Sequence, residues 1–348
     1  MVSRAIDKWV DNVWYGQSLF YWLLLPLSWL FGAAVALRRF AYRRGFARSH
    51  KPDVPVIIVG NLTAGGTGKT PVTIWLARRL RRQGYQPGIG SRGYRGLHSD
   101  VPVSVTPDSD PQVVGDEPVL LAVRAECPVV VHPDRVAAAQ VAVDNGADVI
   151  IADDGLQHYR LGRSFEIAVV DGVRGVGNGS LMPAGPLREP LSRLDEADVV
   201  MVHRPPDSDS GFLRRASDRR PVDFWLRAAV VARLDGSEIS SISEFANRTV
   251  HAVAGIGNPE RFFRMLESHS MKVYRHPLPD HATIEPVDIS FDDELPVLMT
   301  EKDAVKCRWL DTRKCWFVPV DVTFAGDGER LLSDHLDKVI GAPKGAAA

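Results

Sequence analysis

Val54-Pro-Val-Ile-Ile-Val-Gly-Asn-Leu-Thr-Ala-Gly-Gly-Thr-Gly-Lys-Thr-Pro71 reads as a buried strand, a glycine-rich loop and the first turn of a helix. That order builds a phosphate cradle. The backbone N–H groups of Thr63, Ala64, Gly65, Gly66, Thr67 and Gly68 turn toward an anion, Lys69 adds a mobile positive charge, and the Thr70 hydroxyl suits magnesium. Pro71 fits a first helical turn, and Ile74, Leu76, Ala77 and Leu80 continue a helical pattern. Thr63 stands where the common form of this loop has glycine. Ala64 and Gly65 stand where partitioning ATPases carry a second lysine, which argues against that class.

Working outward, short apolar runs alternate with helical patterns. Val129–Val131, Val149–Ala152, Ile167–Val170 and Val199–Val202 are strand candidates, with helices over Val119–Ala125 and Val136–Val143. Unbroken apolar strands separated by helices predict an α/β fold: a P-loop NTPase-type, mainly parallel sheet with helices on both faces. Arg204-Pro-Pro-Asp-Ser-Asp-Ser-Gly211 reads as a surface loop. A second, smaller α/β unit is expected after a boundary near residue 225. Its strands are Val250–Ala254, Lys272–Tyr274, Val297–Met299 and Trp316–Val318. The expected division is 1–50, 51–224 and 225–348.

The 348 residues suffice for two domains, and the net charge of −1 gives no nucleic-acid signature. Cys127, Cys307 and Cys315 lack metal-site spacing and suit a reducing compartment. The N-terminus departs from this ordinary composition. No charged residue occurs from Asn12 to Leu37, and Ser18–Leu37 is about as long as a bilayer span. Arg38, Arg39, Arg43, Arg44, Arg48 and Lys51 follow, which places everything after them on the cytoplasmic side. A signal peptide and a buried core helix are the alternatives. A membrane anchor or deeply dipped interfacial helix accounts best for the charge pattern.

Three further motifs bear on chemistry. Val149-Ile-Ile-Ala-Asp-Asp154 ends a buried strand in two acids, which suits a magnesium ion facing the phosphates; Gly155-Leu-Gln-His158 follows directly. Gly115-Asp-Glu-Pro118 either opens a helix with favourable acids or supplies a general base. Ser91-Arg-Gly-Tyr94, His132-Pro-Asp-Arg135 and Gly185-Pro-Leu-Arg-Glu189 set arginines beside turns, where their forks suit phosphate. Pro279-Asp-His281 lies in the second unit, and Gly255-Ile-Gly-Asn-Pro259 lacks full dinucleotide-loop spacing.

The ordered set, completed by Thr300-Glu-Lys-Asp303, resembles the tetraacyldisaccharide 4'-kinase family of Gram-negative inner membranes over nearly the whole chain. The resemblance implies ATP- and magnesium-dependent phosphorylation of the 4'-hydroxyl of a tetraacyl glucosamine disaccharide 1-phosphate. It implies a two-stranded linker permitting closure of the smaller domain. It makes Asp116 the base, paired with His281, and Lys69 the stabiliser of the transferring phosphate. Thr70, Asp153, Asp154 and Glu117 would serve the metal, and Gln157 the nucleotide. Arg92, Tyr94, Arg135, His158, Arg188 and Glu189 would surround the acceptor and phosphates. The partners implied are this glycolipid and membrane lipids, with no nucleic acid and no obligatory protein. The rivals are a membrane-anchored ATPase switch acting on a protein, and a soluble small-molecule kinase with a buried N-terminal helix.

Overall fold

The computed structural model describes residues 2–93, 100–205, 221–307 and 313–341. The first eight strands enter one sheet: β1 (Val56–Gly60), β2 (Pro87–Ser91), β3 (Val103–Val105), β4 (Val129–Val131), β5 (Val149–Asp153), β6 (Phe165–Asp171), β7 (Val199–His203) and β8 (Val222–Arg227). A second sheet holds β9 (Val230–Arg233), β10 (Ile239–Ser241), β11 (Thr249–Ala254), β12 (Lys272–Pro277), β13 (Val297–Thr300) and β14 (Cys315–Val318). The chain then returns, and β15 (Asp321–Phe324) pairs antiparallel with β8 at the edge of the first sheet.

The first sheet runs β15-β8-β7-β6-β1-β5-β2-β4-β3, parallel from β8 through β4. Strands β1, β5, β6 and β7 are buried throughout, as continuous apolar runs covered on both faces require. The helix Lys69–Arg82 packs one face through Val72, Leu76 and Leu80. On the other face, Ala138, Ala139 and Ala142 of the helix Arg135–Asp144 pack with Ile150 and Ala152. Strand β1 lies between β5 and β6, so the loop after it opens at the carboxyl edge of the sheet, the side on which α/β folds place ligands.

The sheets divide the chain differently from a boundary at 225. Strand β8 belongs to the larger sheet, and β15 with the helix Gly328–Ile340 returns to it. The chain therefore crosses between sheets twice, at 228–229 and again at 319–320. At the N-terminus the helix Phe20–Arg43 contains Pro26 and buries only 6% of its most apolar window, with Trp22, Leu23 and Leu30 exposed. A shorter helix, Val2–Tyr15, precedes it.

Ser28 fastens the long helix to the protein: its Oγ donates to the Leu181 carbonyl at 2.7 Å and accepts from the Ala184 N–H at 2.9 Å. Tyr21 and Ser180 hydroxyls meet at 3.1 Å, and Arg39 and Arg43 both reach Glu196. Cys307 and Cys315 are buried, Cys127 is partly so, and all three are free thiols. Of the expected surface loop, residues 206–211 lie outside the described residues.

Candidate active site

The loop Asn61–Gly68 adopts the backbone that a phosphate cradle needs. Gly65 and Gly68 take φ of 106° and 98°, and a Cβ on Gly65 or Gly66 would meet open space. Its first half is backed by a second loop: Ala64 N–H donates to the Pro186 carbonyl at 2.8 Å, and Arg188 N–H to Leu62 at 2.7 Å. Thr63 bridges Leu187 in the same place. Gln157 donates to the Asn61 carbonyl and to Glu189, each at 3.2 Å. Thr67 Oγ1 is buried without a partner among the described residues. Thr70 is the second residue of the following helix and remains partly exposed.

Strand β5 delivers the two acids into unlike surroundings. Asp153 is 2% exposed and accepts from Thr73 Oγ1 at 3.0 Å; burial, then the charge of Glu117, pushes it up to about 7. Asp154 has φ of 51°, a left-handed conformation that costs roughly 1–3 kcal/mol for a non-glycine residue. That turn aims it at Lys69 Nζ, 3.6 Å away, and at Arg188 Nη1, 3.1 and 3.2 Å from its two oxygens. Burial acts upward on Asp154, but Lys69 and Arg188 outweigh it and hold the carboxylate ionised.

Arg135 is buried, donates to the Asp153 carbonyl at 3.1 Å and leaves Nε without a partner among the described residues. Burial lowers it to about 10, so it stays charged at neutral pH. The same charge follows burial as a cause of the fall of His158 to about 4, which keeps that imidazole neutral. Arg92 is exposed and adds to both effects. Tyr94 lies outside the described residues. Glu189 is 2% exposed and bonds Gln157 and Tyr159, so it braces the site from behind instead of facing an acceptor.

Asp116 begins the helix Asp116–Ala125 after Gly115, whose φ of 94° sets the turn. His281, in left-handed backbone at φ 58°, comes from the second sheet's side and places Nδ1 3.0 Å from both Asp116 oxygens. Burial pushes Asp116 up, but the His281 hydrogen bond and the Lys302 and Lys306 charges outweigh it and keep the carboxylate low.

Lys302 is the residue whose role the sequence reading left unassigned. Its Nζ lies 3.0 Å from Glu117 Oε1, 3.2 Å from His281 Nε2 and 3.5 Å from Asp280. An ammonium only donates, so His281 Nε2 accepts and its Nδ1–H is directed at Asp116. Asp303 stitches this corner together. It accepts from Thr300 Oγ1 at 2.7 Å and from Gly255 N–H at 3.0 Å, and it pairs with Lys306 at 2.7 Å. The spacing Thr300-Glu-Lys-Asp303 thus caps a turn and lifts Lys302 toward the dyad. Replacing Lys302 by methionine removes the cation that faces Glu117 and leaves Asp116 with His281 and Lys306. Turnover is expected to fall about ten- to hundredfold, one charge-assisted bond of ~1.5–3 kcal/mol. Unchanged turnover in a steady-state assay would remove Lys302 from the machinery.

Gly255–Pro259 abuts the phosphate loop: a Cβ on Gly257 would stand 3.2 Å from the Gly66 nitrogen. Beyond it, Arg261 pairs with Asp171 at 2.5 Å and reaches His203 Nδ1 at 2.9 Å, while that atom also meets the Thr67 carbonyl at 3.1 Å. Asp171 and His203 are register partners at the carboxyl ends of β6 and β7. Burial, then Arg261, lowers His203 to about 3. The unfolded chain binds a proton near pH 6.5 that the fold refuses, so this stability is present above 6.5 and lost as pH falls toward 3. Thermal unfolding between pH 7 and 4 should decline less steeply in His203→Gln; equal slopes would contradict the assignment.

This architecture has known counterparts. A family model described as tetraacyldisaccharide-1-P 4'-kinase matches residues 20–340. The chain belongs to that family. A tetraacyldisaccharide 4'-kinase of Nitrosococcus oceani is 48% identical over 323 residues, 92% of each chain. One from Stenotrophomonas maltophilia is 45% identical over 327 residues, 94% of this chain and 96% of that one. The crystal structure of LpxK from Aquifex aeolicus in complex with ATP is similar at a TM-score of 0.76 and 26% identity, covering 92% of this chain and 100% of that one. The α/β fold expected from the sequence is therefore the family's own.

Proposed function

We propose that the chain transfers the γ-phosphoryl group of ATP to the 4'-hydroxyl of tetraacyldisaccharide 1-phosphate, the acceptor class named for its relatives. The observation that carries this reading is the contact of Asp116 with His281, made across the two sheets beside the phosphate loop. A protein switch needs no base aligned on an acceptor hydroxyl.

The residues fit a nucleotide: Thr67 Oγ1 and Arg135 Nε are buried donors in want of an acceptor, and Gly65 and Gly66 leave room for phosphate. Among the described residues no group of three or more His, Cys, Asp or Glu is arranged as a metal cage. Magnesium takes one or two carboxylates and completes its shell with phosphate and water. Of Thr70, Asp153, Asp154 and Glu117, the hydroxyl and one or two of the acids would hold it, and when bound with ATP it neutralises charge on the phosphate oxygens.

The chain's own groups do the rest. Lys69 is placed to balance charge on the transferring group, and Arg188 and Arg135 add to the positive rim. Asp116 remains ionised at neutral pH and accepts the 4'-hydroxyl proton as the new P–O bond forms and the bond to the ADP oxygen breaks. A loose transition state asks little of the base before that point, so a carboxylate held low in pKa suffices. His281 keeps Asp116 oriented through Nδ1–H. Gln157 and Glu189 steady the loop, while Arg92 and His158 border the acceptor.

The exposed apolar helix Phe20–Arg43 fits a bilayer, and Arg38, Arg39, Arg43 and Arg44 at its end fit the cytoplasmic face of a bacterial inner membrane. The same basic end attracts anionic headgroups and the acceptor's phosphate. Phosphorus–proton correlation spectroscopy of the product tests the regiochemistry. The reading expects phosphorus on the 4' oxygen; phosphorus on any other oxygen of the sugar contradicts it.

A further inference from the structure

The helix Asp116–Ala125 is gripped at both ends by one turn of the second unit, Glu301–Ala304. Its first residues, Asp116 and Glu117, face Lys302. Its last turn carries Arg124, roughly 12 Å further along the axis. Arg124 pairs with Glu301, the chain neighbour of Lys302. Neither Arg124 nor Glu301 has a part in the transfer chemistry.

The second grip is a closed arrangement. The Arg124 and Glu301 side chains are 11% and 9% exposed. One guanidinium nitrogen of Arg124 donates to Glu301 Oε1, and the other donates to Asp321 at 2.7 Å. Glu301 Oε2 accepts from the Val320 N–H at 3.2 Å, where the chain returns to the larger sheet. The Arg124 carbonyl accepts from Arg78 Nε at 2.7 Å, which ties this end to the helix that begins at Lys69. Burial pushes Glu301 upward and Arg124 opposes it, so the buried carboxylate depends on its partner. A turn held at one point can swivel about it, whereas a turn held at both ends of a helix has one orientation.

We propose that Arg124 and Glu301 are positioning residues for phosphoryl transfer: their ion pair sets the turn against the helix so that Lys302 Nζ stays seated between Glu117 and His281. The inference rests on the base role given to Asp116. The Lys302 contacts, at 3.0 Å to Glu117 and 3.2 Å to His281 Nε2, are lost on a shift of about 1 Å. Misplacement on that scale costs up to about a hundredfold in rate.

Glu301→Gln in the full-length protein keeps the shape of the side chain and removes its charge. Transfer to tetraacyl disaccharide 1-phosphate, counted per ADP-binding site so that misfolded protein drops out, is expected to fall about tenfold. Because Glu301 acts through Lys302, adding Glu301→Gln to Lys302→Met should cost nothing more. A second readout is independent of activity. Brief acetic anhydride treatment, read by mass spectrometry, should modify Lys302 several-fold faster in Glu301→Gln while Lys69 is modified as in the unmodified protein. A merely structural loss would raise both lysines together and would multiply with Lys302→Met. Either of those results, full transfer by Glu301→Gln or unchanged Lys302 modification overturns the positioning role alone. Full transfer by Asp116→Ala overturns the base assignment, and this inference with it.

Discussion

Lys69→Ala is expected to lower phosphoryl transfer about a hundred- to a thousandfold, the usual loss when one preorganised charge is removed from a transition state. The side chain starts the helix after the phosphate loop and already faces Asp154 at 3.6 Å. Its loss also removes one of the cations that hold Asp154, leaving Arg188 and Arg135. The relevant readout is single-turnover transfer at saturating ATP, with nucleotide binding measured separately. Near-normal transfer would place the reacting phosphate somewhere other than this loop.

Asp116 and His281 give the second large effect. Each alanine variant should lose about 10²–10⁴-fold, the range of a positioned general base. Because His281 acts through Asp116, with Nδ1 3.0 Å from both carboxylate oxygens, the double variant should be little worse than the worse single one. A steady-state double-mutant cycle checks this. Losses that multiply would mean two independent roles, and His281 would then need a contact of its own with substrate.

Much of this was legible in the sequence where chemistry and local pattern coincide. The apolar run before Gly60, the glycine loop and the paired acids after Val149 each report on one strand end, and the structure puts each on the carboxyl edge of the larger sheet. Other features were hidden for physical reasons. Strand β2, Pro87-Gly-Ile-Gly-Ser91, carries two glycines and a proline that weigh against a strand. Gly88 is there because a Cβ would lie 2.9 Å from Ala142 and 2.8 Å from Ala147, so the sheet admits its covering helix closely. The return of Asp321–Phe324 to the larger sheet is a long-range pairing with no local signature.

The site shows the same division. Asp116 and His281 are 165 residues apart, and the resemblance to a family, not spacing, suggested their pairing. Lys302 stood in a quoted motif without a job, because a lysine one residue into a capped turn looks like any surface charge until its three acidic neighbours are in place. Arg261, Asp171 and His203 gave no signal at all: each is ordinary in its own segment, and only closure of the two sheets' loops joins them. Glu189 had the right chemistry to face an acceptor and is instead buried against Gln157 and Tyr159.

The measurement that goes straight to the central claim is transfer of label from γ-labelled ATP to detergent-dispersed tetraacyl disaccharide 1-phosphate, with and without magnesium. The account predicts labelled lipid that appears only with magnesium and disappears in Asp116→Ala. Phosphate released from ATP with no label in the lipid, from protein that binds the nucleotide, would contradict it and return the chain to the class of ATP-driven switches.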